Sequence, residues 1–346
     1  MVMGKKIMNN NTPNMQSDAQ FPAQQAADLM AIARLPEIYE MELHKSGSAL
    51  GDRKAWNGEN PAANKAAHDS MIEATPPELR DNIKVIQFDN TTAIVTYAPE
   101  EHSVTVTFDP TSIRDNVFLN RDELDNLARE HSEHSLGGEV HNGLYRDMVE
   151  EDPKSNSSMI DKISGIIHEH AYDQDTPLKV NFTGSSKGGA QASLAAGEMM
   201  AEDLFSEDNN IELNNVLLFG TIGYGDEEYV QNFNENAQKL GANVWSVEAH
   251  GDPMPTILTP DGSSFFTRYD YDAVGNKAYI TAEGDVTVNP DKNTLDNLRS
   301  QPSSEGMHTS DNYTKVLDTT TPPATQTPEP LNTPEAITQP TSTLQL

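Results

Sequence analysis

Ser186 is the residue whose surroundings point most directly at chemistry. It sits in Gly184-Ser185-Ser186-Lys187-Gly188, a G-x-S-x-G pattern between a strand-like run at 178–182 and an Ala/Met/Leu-rich helical run at 190–204. A strand-to-helix turn of this kind is tight enough to hold its central serine in a strained backbone conformation, with Oγ raised above the sheet edge. Gly184 and Gly188 let strand and helix approach each other across that turn. The helix beginning there aims backbone N–H groups at the same point, where they can hold developing negative charge. That is the chemistry of an acyl-transfer nucleophile. The competing reading is an ordinary Gly-rich turn in which Ser185 or Ser186 caps the helix. A phosphate loop is disfavoured, because no Gly-Lys-Ser or Gly-Lys-Thr is present.

A serine needs a base, and the base an orienting acid. Elbow sequences place them in the order Ser, acid, His. Only His250 and His308 follow Ser186. His308, in Gly306-Met307-His308-Thr309-Ser310, is favoured because an acid can precede it; His250 comes two residues before the best acid candidate. That acid is Asp252, in Gly251-Asp252-Pro253-Met254-Pro255, at the end of a strand-like run and held by prolines. Asp226 and Asp261 are its competitors. His131, His134 and His141 invite a zinc reading but lack a fixed carboxylate spacing, so solvated histidines are preferred. No metal or cofactor is expected.

The elements that must position these groups follow from periodicity. Residues 84–88, 93–97 and 104–108 read as a three-strand meander. Further strands are expected at 178–182, 216–219 and 244–247. Helices are expected from Ala26 to Ile38 (interrupted by Pro36), at 121–133, 140–149, 159–168 and 190–204, and 47–64 reads as loop. Strands alternating with helices predict an α/β domain with a mainly parallel sheet flanked by helices.

Composition bounds the rest. The chain has 346 residues, with 23 Lys plus Arg against 54 Asp plus Glu, a formal charge of −31. Such a surface repels phosphate backbones and anionic lipid headgroups, which excludes nucleic acid as a natural partner and disfavours polybasic membrane anchoring. The absence of Cys excludes disulfides, thiolate metal sites and a Cys nucleophile. No apolar run approaches the roughly 18 residues of a spanning helix. Asn9-Asn10-Asn11 stands where the apolar core of a secretory signal belongs, so the protein is expected to be cytoplasmic or exported by a signal-independent route. Polar residues 1–20 and the Thr/Pro-rich 318–346 read as disordered arms around a single domain at 21–317. Oligomeric state is not encoded in these patterns.

Taken in order, the motifs resemble the class 3 lipases, the fungal triacylglycerol-lipase-like branch of the α/β-hydrolases, and their bacterial relatives. Val106-Thr107-Phe108-Asp109-Pro110-Thr111 looks like the family's oxyanion strand, Val140-His141-Asn142-Gly143-Leu144 its V-H-x-G-F element, and 182–190 its elbow. Leu218-Phe219-Gly220 resembles the next strand end, Asp252-Pro253-Met254-Pro255 the acid loop, and His308 with Tyr313 the final histidine segment. The resemblance implies an α/β-hydrolase in which Ser186, Asp252 and His308 form a triad hydrolysing lipid carboxylic esters. The N–H groups of Lys187 and Thr111 would form the oxyanion hole, and a charged lid would lie within 114–138. Three departures stand out: Asp109-Pro110 replaces an Arg-Gly, placing a carboxylate beside the oxyanion hole, Ser185 stands where the family usually carries His, and Lys187 stands where Leu is frequent. The first motivates a rival expectation, a weak or inactive scaffold serving as a binding module, with an exported effector as a further alternative.

Overall fold

The computed structural model describes residues 19–45, 61–88, 91–110, 131–153, 155–172, 175–256, 272–300 and 308–320. Strands β1 (Ile83–Gln87), β2 (Thr92–Ala98) and β3 (Ser103–Phe108) form the expected antiparallel meander. From β3 the sheet continues in parallel through β6 (Leu178–Ser185), β7 (Ile211–Phe219), β8 (Asn243–Ala249) and β9 (Asn276–Ile280), then closes with antiparallel β10 (Val286–Val288). The eight strands lie in the order β1-β2-β3-β6-β7-β8-β9-β10. Central strands β3 and β6 are buried on both faces, which is why they read as near-continuous β-branched and apolar runs. The fold is α/β, with a mainly parallel central sheet flanked by helices.

Helices cover both faces. One face packs against α4 (Asn142–Val149), α5 (Met159–Ala171), α6 (Lys187–Ala201) and α7 (Glu227–Lys239). The other packs against α1 (Ala23–Ala33), α2 (Leu35–Lys45), α3 (Pro61–Ala74) and α9 (Ser310–Thr320). A shorter α8 (Lys292–Arg299) precedes α9. The stripe of α5, with Ile160, Ile163 and Ile167 buried, is introduced by a Ser158–Asp161 capping box, a device worth about 1 kcal/mol.

A row of amides crosses the sheet at one level. Thr105, Asn181, Asn215 and Asn243 are register partners on β3, β6, β7 and β8. Asn181 donates to Thr105 Oγ1 at 3.3 Å, Asn215 to Asn181 Oδ1 at 2.6 Å, and Asn243 to Asn215 Oδ1 at 3.4 Å. The β6–β7 register shifts just before Asn181, and Asn214, the extra residue, also donates to Asn181 Oδ1 at 2.9 Å.

Several expectations need correction. Residues 131–133 are not helical: β4 (His131–Glu133) pairs antiparallel with β5 (Glu139–His141), so the helix expected from Val140 begins only at Asn142. Residues 61–64 belong to α3 rather than a loop, and Pro36 lies in the first turn of α2, the break between α1 and α2 falling at Arg34. Ala19 packs against the second face, and α9 continues through Thr320, so the packed chain overruns both boundaries of the 21–317 domain. Residues 1–18 and 321–346, most of the two expected arms, lie outside the described residues, as do 111–130, which hold Thr111 and most of the expected lid. No helix among the described residues is long and apolar enough to cross a membrane.

Candidate active site

The turn between β6 and α6 has the conformation its composition demands. Ser186 adopts φ +57° and ψ −125°, a left-handed backbone that a non-glycine residue occupies only under constraint. It occupies the cap position of α6 yet makes no side-chain cap hydrogen bond, which removes the helix-capping explanation for Ser186. The constraint comes from its neighbours. A methyl on Gly184 would fall 2.4 Å from the Gly188 carbonyl carbon, and one on Gly188 would fall 2.3 Å from the Phe108 carbonyl oxygen. Strand, helix and the end of β3 therefore meet backbone to backbone at the two elbow glycines.

Ser186 is tied to the next strand end through its N–H, which donates to the Phe219 carbonyl at 2.8 Å. Gly220 follows with φ +56°, and a methyl there would lie 2.5 Å from Asp252 Oδ2 and 2.7 Å from the Tyr313 hydroxyl. The Phe219–Gly220 step thus has Ser186 on one side and the Asp252 carboxylate on the other.

That carboxylate is fully enclosed and engaged on both oxygens. Oδ1 accepts from the Met254 N–H at 2.8 Å, and Oδ2 accepts from the Tyr313 hydroxyl at 2.5 Å. His308 Nδ1 approaches Oδ1 at 3.0 Å and Oδ2 at 2.9 Å. Because a carboxylate only accepts, Nδ1 carries the proton, and in the neutral ring Nε2 is left as the basic end. Asp252 and His308 are thereby brought together across 56 residues of chain. Tyr313 also accepts from the Ala249 N–H at 3.2 Å. Its burial, and then the adjacent Asp252 charge, push its own ionisation well above the ordinary range, so it remains a hydrogen-bond donor.

The competing candidates are occupied elsewhere. His250 Nδ1 meets the Tyr279 hydroxyl at 3.0 Å, and that hydroxyl donates to the Leu298 carbonyl at 3.1 Å. Asp226 caps α7, accepting from the Tyr229 N–H at 2.8 Å. Asp261 lies outside the described residues. The histidines read as solvated are not: His134 and His141 are buried. His134 Nδ1 accepts from the Leu136 N–H at 3.0 Å, while its Nε2 faces the Leu194 carbonyl at 3.3 Å and Glu198 at 3.4 Å. His141 caps α4 through Nδ1, and burial pushes its pKa down to about 4. No cluster of metal-ligating side chains occurs among the described residues.

Sequence reasoning missed three participants. Tyr313 was matched by position, but its bond to Asp252 was not foreseen; its spacing from His308 was the signal. Gly220, read only as a strand ending, provides the space for the acid. Asp109 was expected only as a carboxylate beside the oxyanion hole, and its partners were not foreseen: Oδ1 accepts from the Thr92 N–H at 2.7 Å and Oδ2 pairs with Lys187 Nζ at 2.8 Å.

Comparison with known proteins places these observations. Residues 106–261 match the family described as lipase (class 3), which bears out the resemblance across the segment holding Ser186 and Asp252 and supports a lipase-type hydrolase of lipid esters. Similar solved structures include the triacylglyceride lipase of Rhizomucor miehei, at 16% identity over 79% of this chain and 86% of that one with a TM-score of 0.48. Others are lipase II from Rhizopus niveus (16% identity, 75% and 80% covered, TM-score 0.46) and a lipase from Rhizopus microsporus var. chinensis (16%, 79% and 81%, 0.46). No curated protein matches the chain significantly.

Proposed function

We propose that the protein is a serine hydrolase of lipid carboxylic esters working through Ser186, His308 and Asp252. Ser186 Oγ attacks the ester carbonyl while His308 Nε2 takes its proton. The tetrahedral oxyanion is held by backbone N–H groups, that of Lys187 at the start of α6 and that of Thr111. His308 then returns the proton to the departing alcohol, leaving an acyl-serine that water cleaves by the same steps in reverse. Asp252 fixes the ring with Nδ1 protonated and stabilises the imidazolium. The observation that carries this reading is the two-oxygen contact between His308 and Asp252, set one strand end away from a serine in a strained elbow.

The rival reading, a scaffold that binds without turnover, was motivated by Asp109-Pro110. With the Asp109 carboxylate paired to Lys187 and to a backbone N–H, that motive is weakened. Labelling with a fluorophosphonate decides between them: wild type is expected to be modified at Ser186 and Ser186→Ala to stay unmodified. A folded wild type that is not labelled refutes the hydrolase reading.

The substrate surface follows from charge. At −31 the protein favours neutral or zwitterionic interfaces. Hydrolysis of neutral glycerides or phosphatidylcholine is expected to exceed that of phosphatidylglycerol at low salt, and equal rates on the two kinds of vesicle would refute this preference.

A further inference from the structure

We infer that Asp109 is a positioning residue which, through its buried ion pair with Lys187, sets the peptide following the nucleophile against the end of β3. The inference rests on the hydrolase reading, in which the Lys187 N–H is an oxyanion donor. Both partners are positions at which the chain departs from the lipase pattern, and they face each other across 78 residues.

Asp109 is held at both ends. Its N–H donates to the Thr92 carbonyl at 3.0 Å, its Oδ1 accepts from the Thr92 N–H at 2.7 Å, and its Oδ2 meets Lys187 Nζ at 2.8 Å. The side chains are 6% and 17% exposed, so the pair lies in a medium where one charge without the other is strongly unfavourable. Burial opposes the Lys187 charge, but Asp109, then Glu40 of α2 and Asp147, outweigh it and hold the ammonium protonated above its ordinary range. Lys187 is thus anchored by its side chain to a carboxylate fixed on β2 and β3. Its own peptide is the first of α6, between Ser186 and a glycine already in contact with the Phe108 carbonyl.

For stability alone an ion pair is a weak choice here, since apolar side chains of similar volume commonly do as well or better. What the pair adds is direction. A salt bridge fixes the orientation of the residue bearing it, and an oxyanion donor works only when held within about 0.5 Å of its productive position.

The test uses the full chain, p-nitrophenyl acetate as a soluble substrate, and a p-nitrophenyl phosphonate that labels the nucleophile. Asp109→Asn and Lys187→Met are each expected to lower kcat by about tenfold to a hundredfold with KM within about twofold, and to slow Ser186 labelling in proportion. The double variant Asp109→Asn/Lys187→Met is made in a Glu40→Gln background, because that buried carboxylate also faces Lys187 and would otherwise lose its counter-charge. It is expected to return to within about 2 °C of the wild-type Tm while kcat stays depressed. The double variant also serves if either single variant fails to fold. Single variants with kcat within about twofold of wild type, or a double variant that recovers kcat together with Tm, overturn the positioning role. A wild type not labelled at Ser186 overturns the hydrolase reading and the positioning role with it, so the two failures are distinguishable.

Discussion

The two faces of the sheet contribute different things to the site. The α4–α7 face is a continuous apolar layer in which α6, buried along most of its length, carries the elbow at its N-terminus. The α1–α3 and α9 face is assembled from the two ends of the described chain, and it delivers His308 and Tyr313 just before and within α9. The proposed nucleophile thus belongs to the interior of one layer and the proposed base to the rim of the other, with Asp252 between them after the end of β8. The proposed hydrolytic centre, divided in this way, would depend on the sheet between the layers being rigid.

The largest expected effects test whether the two faces act as one catalytic unit. Ser186→Ala and His308→Ala are each expected to lower kcat for p-nitrophenyl butyrate by about 10⁶, with the double variant no worse than either single, because residues acting as a unit are grossly non-additive. Additive losses would mean the faces act independently. Next comes Asp252→Asn, which keeps the contacts but disturbs the histidine tautomer, with an expected loss of about 10⁴ in kcat.

A smaller effect separates the faces by acid sensitivity. His141 lies on the α4 face, and its pKa is depressed from 6.5 to about 4, first by burial and further by His131. The depressed folded value means the unfolded chain takes up the proton first. Above 6.5 the group makes no difference to stability. As pH falls from 6.5 to 4, folding loses about 3 kcal/mol through it. His141→Asn retains a cap acceptor for α4, so urea unfolding of that variant should show a shallower stability loss between pH 7 and pH 4.5 than wild type. An unchanged slope would place the acid sensitivity elsewhere. The smallest effect is on the exposed side of α5, where a methyl at Gly165 meets nothing within 4 Å: Gly165→Ala is expected to stabilise by about 0.5–1 kcal/mol in the same assay.

The α4–α7 face was also the more legible one. Its strands and helices are long, periodic and bracketed by glycine or capping residues, so β3, β6, α5 and α6 could be read with small boundary errors. On the opposite face α1, with five buried apolar residues, was read as a helix, whereas α3 and α9 were missed because each buries only three. In α3 the buried positions are Ala63, Ala67 and Met71 among polar neighbours, and in α9 they are Tyr313, Val316 and Leu317 beside a Thr/Pro-rich run. At the site, the elbow, the acid and the histidine could be ordered from spacing rules alone. The Asp109–Lys187 pair and the retreat of His250 to Tyr279 depend on contacts between distant segments, which local pattern does not encode. The hairpin at 131–141 was mistaken for helix because only three residues on each side pair, too few for a period to emerge.

The amide row has a consequence for how the site is levelled. Asn181 stands five residues before Ser186 and Asn215 five before Gly220, so the ends of β6 and β7 are measured off from a common datum. At about 3.3 Å per residue, a slip of one residue on either of these strands would break the row and also raise or lower that strand's loop by one step. Misalignment is therefore penalised twice, once in orphaned amides and once in loops that no longer meet at the same height.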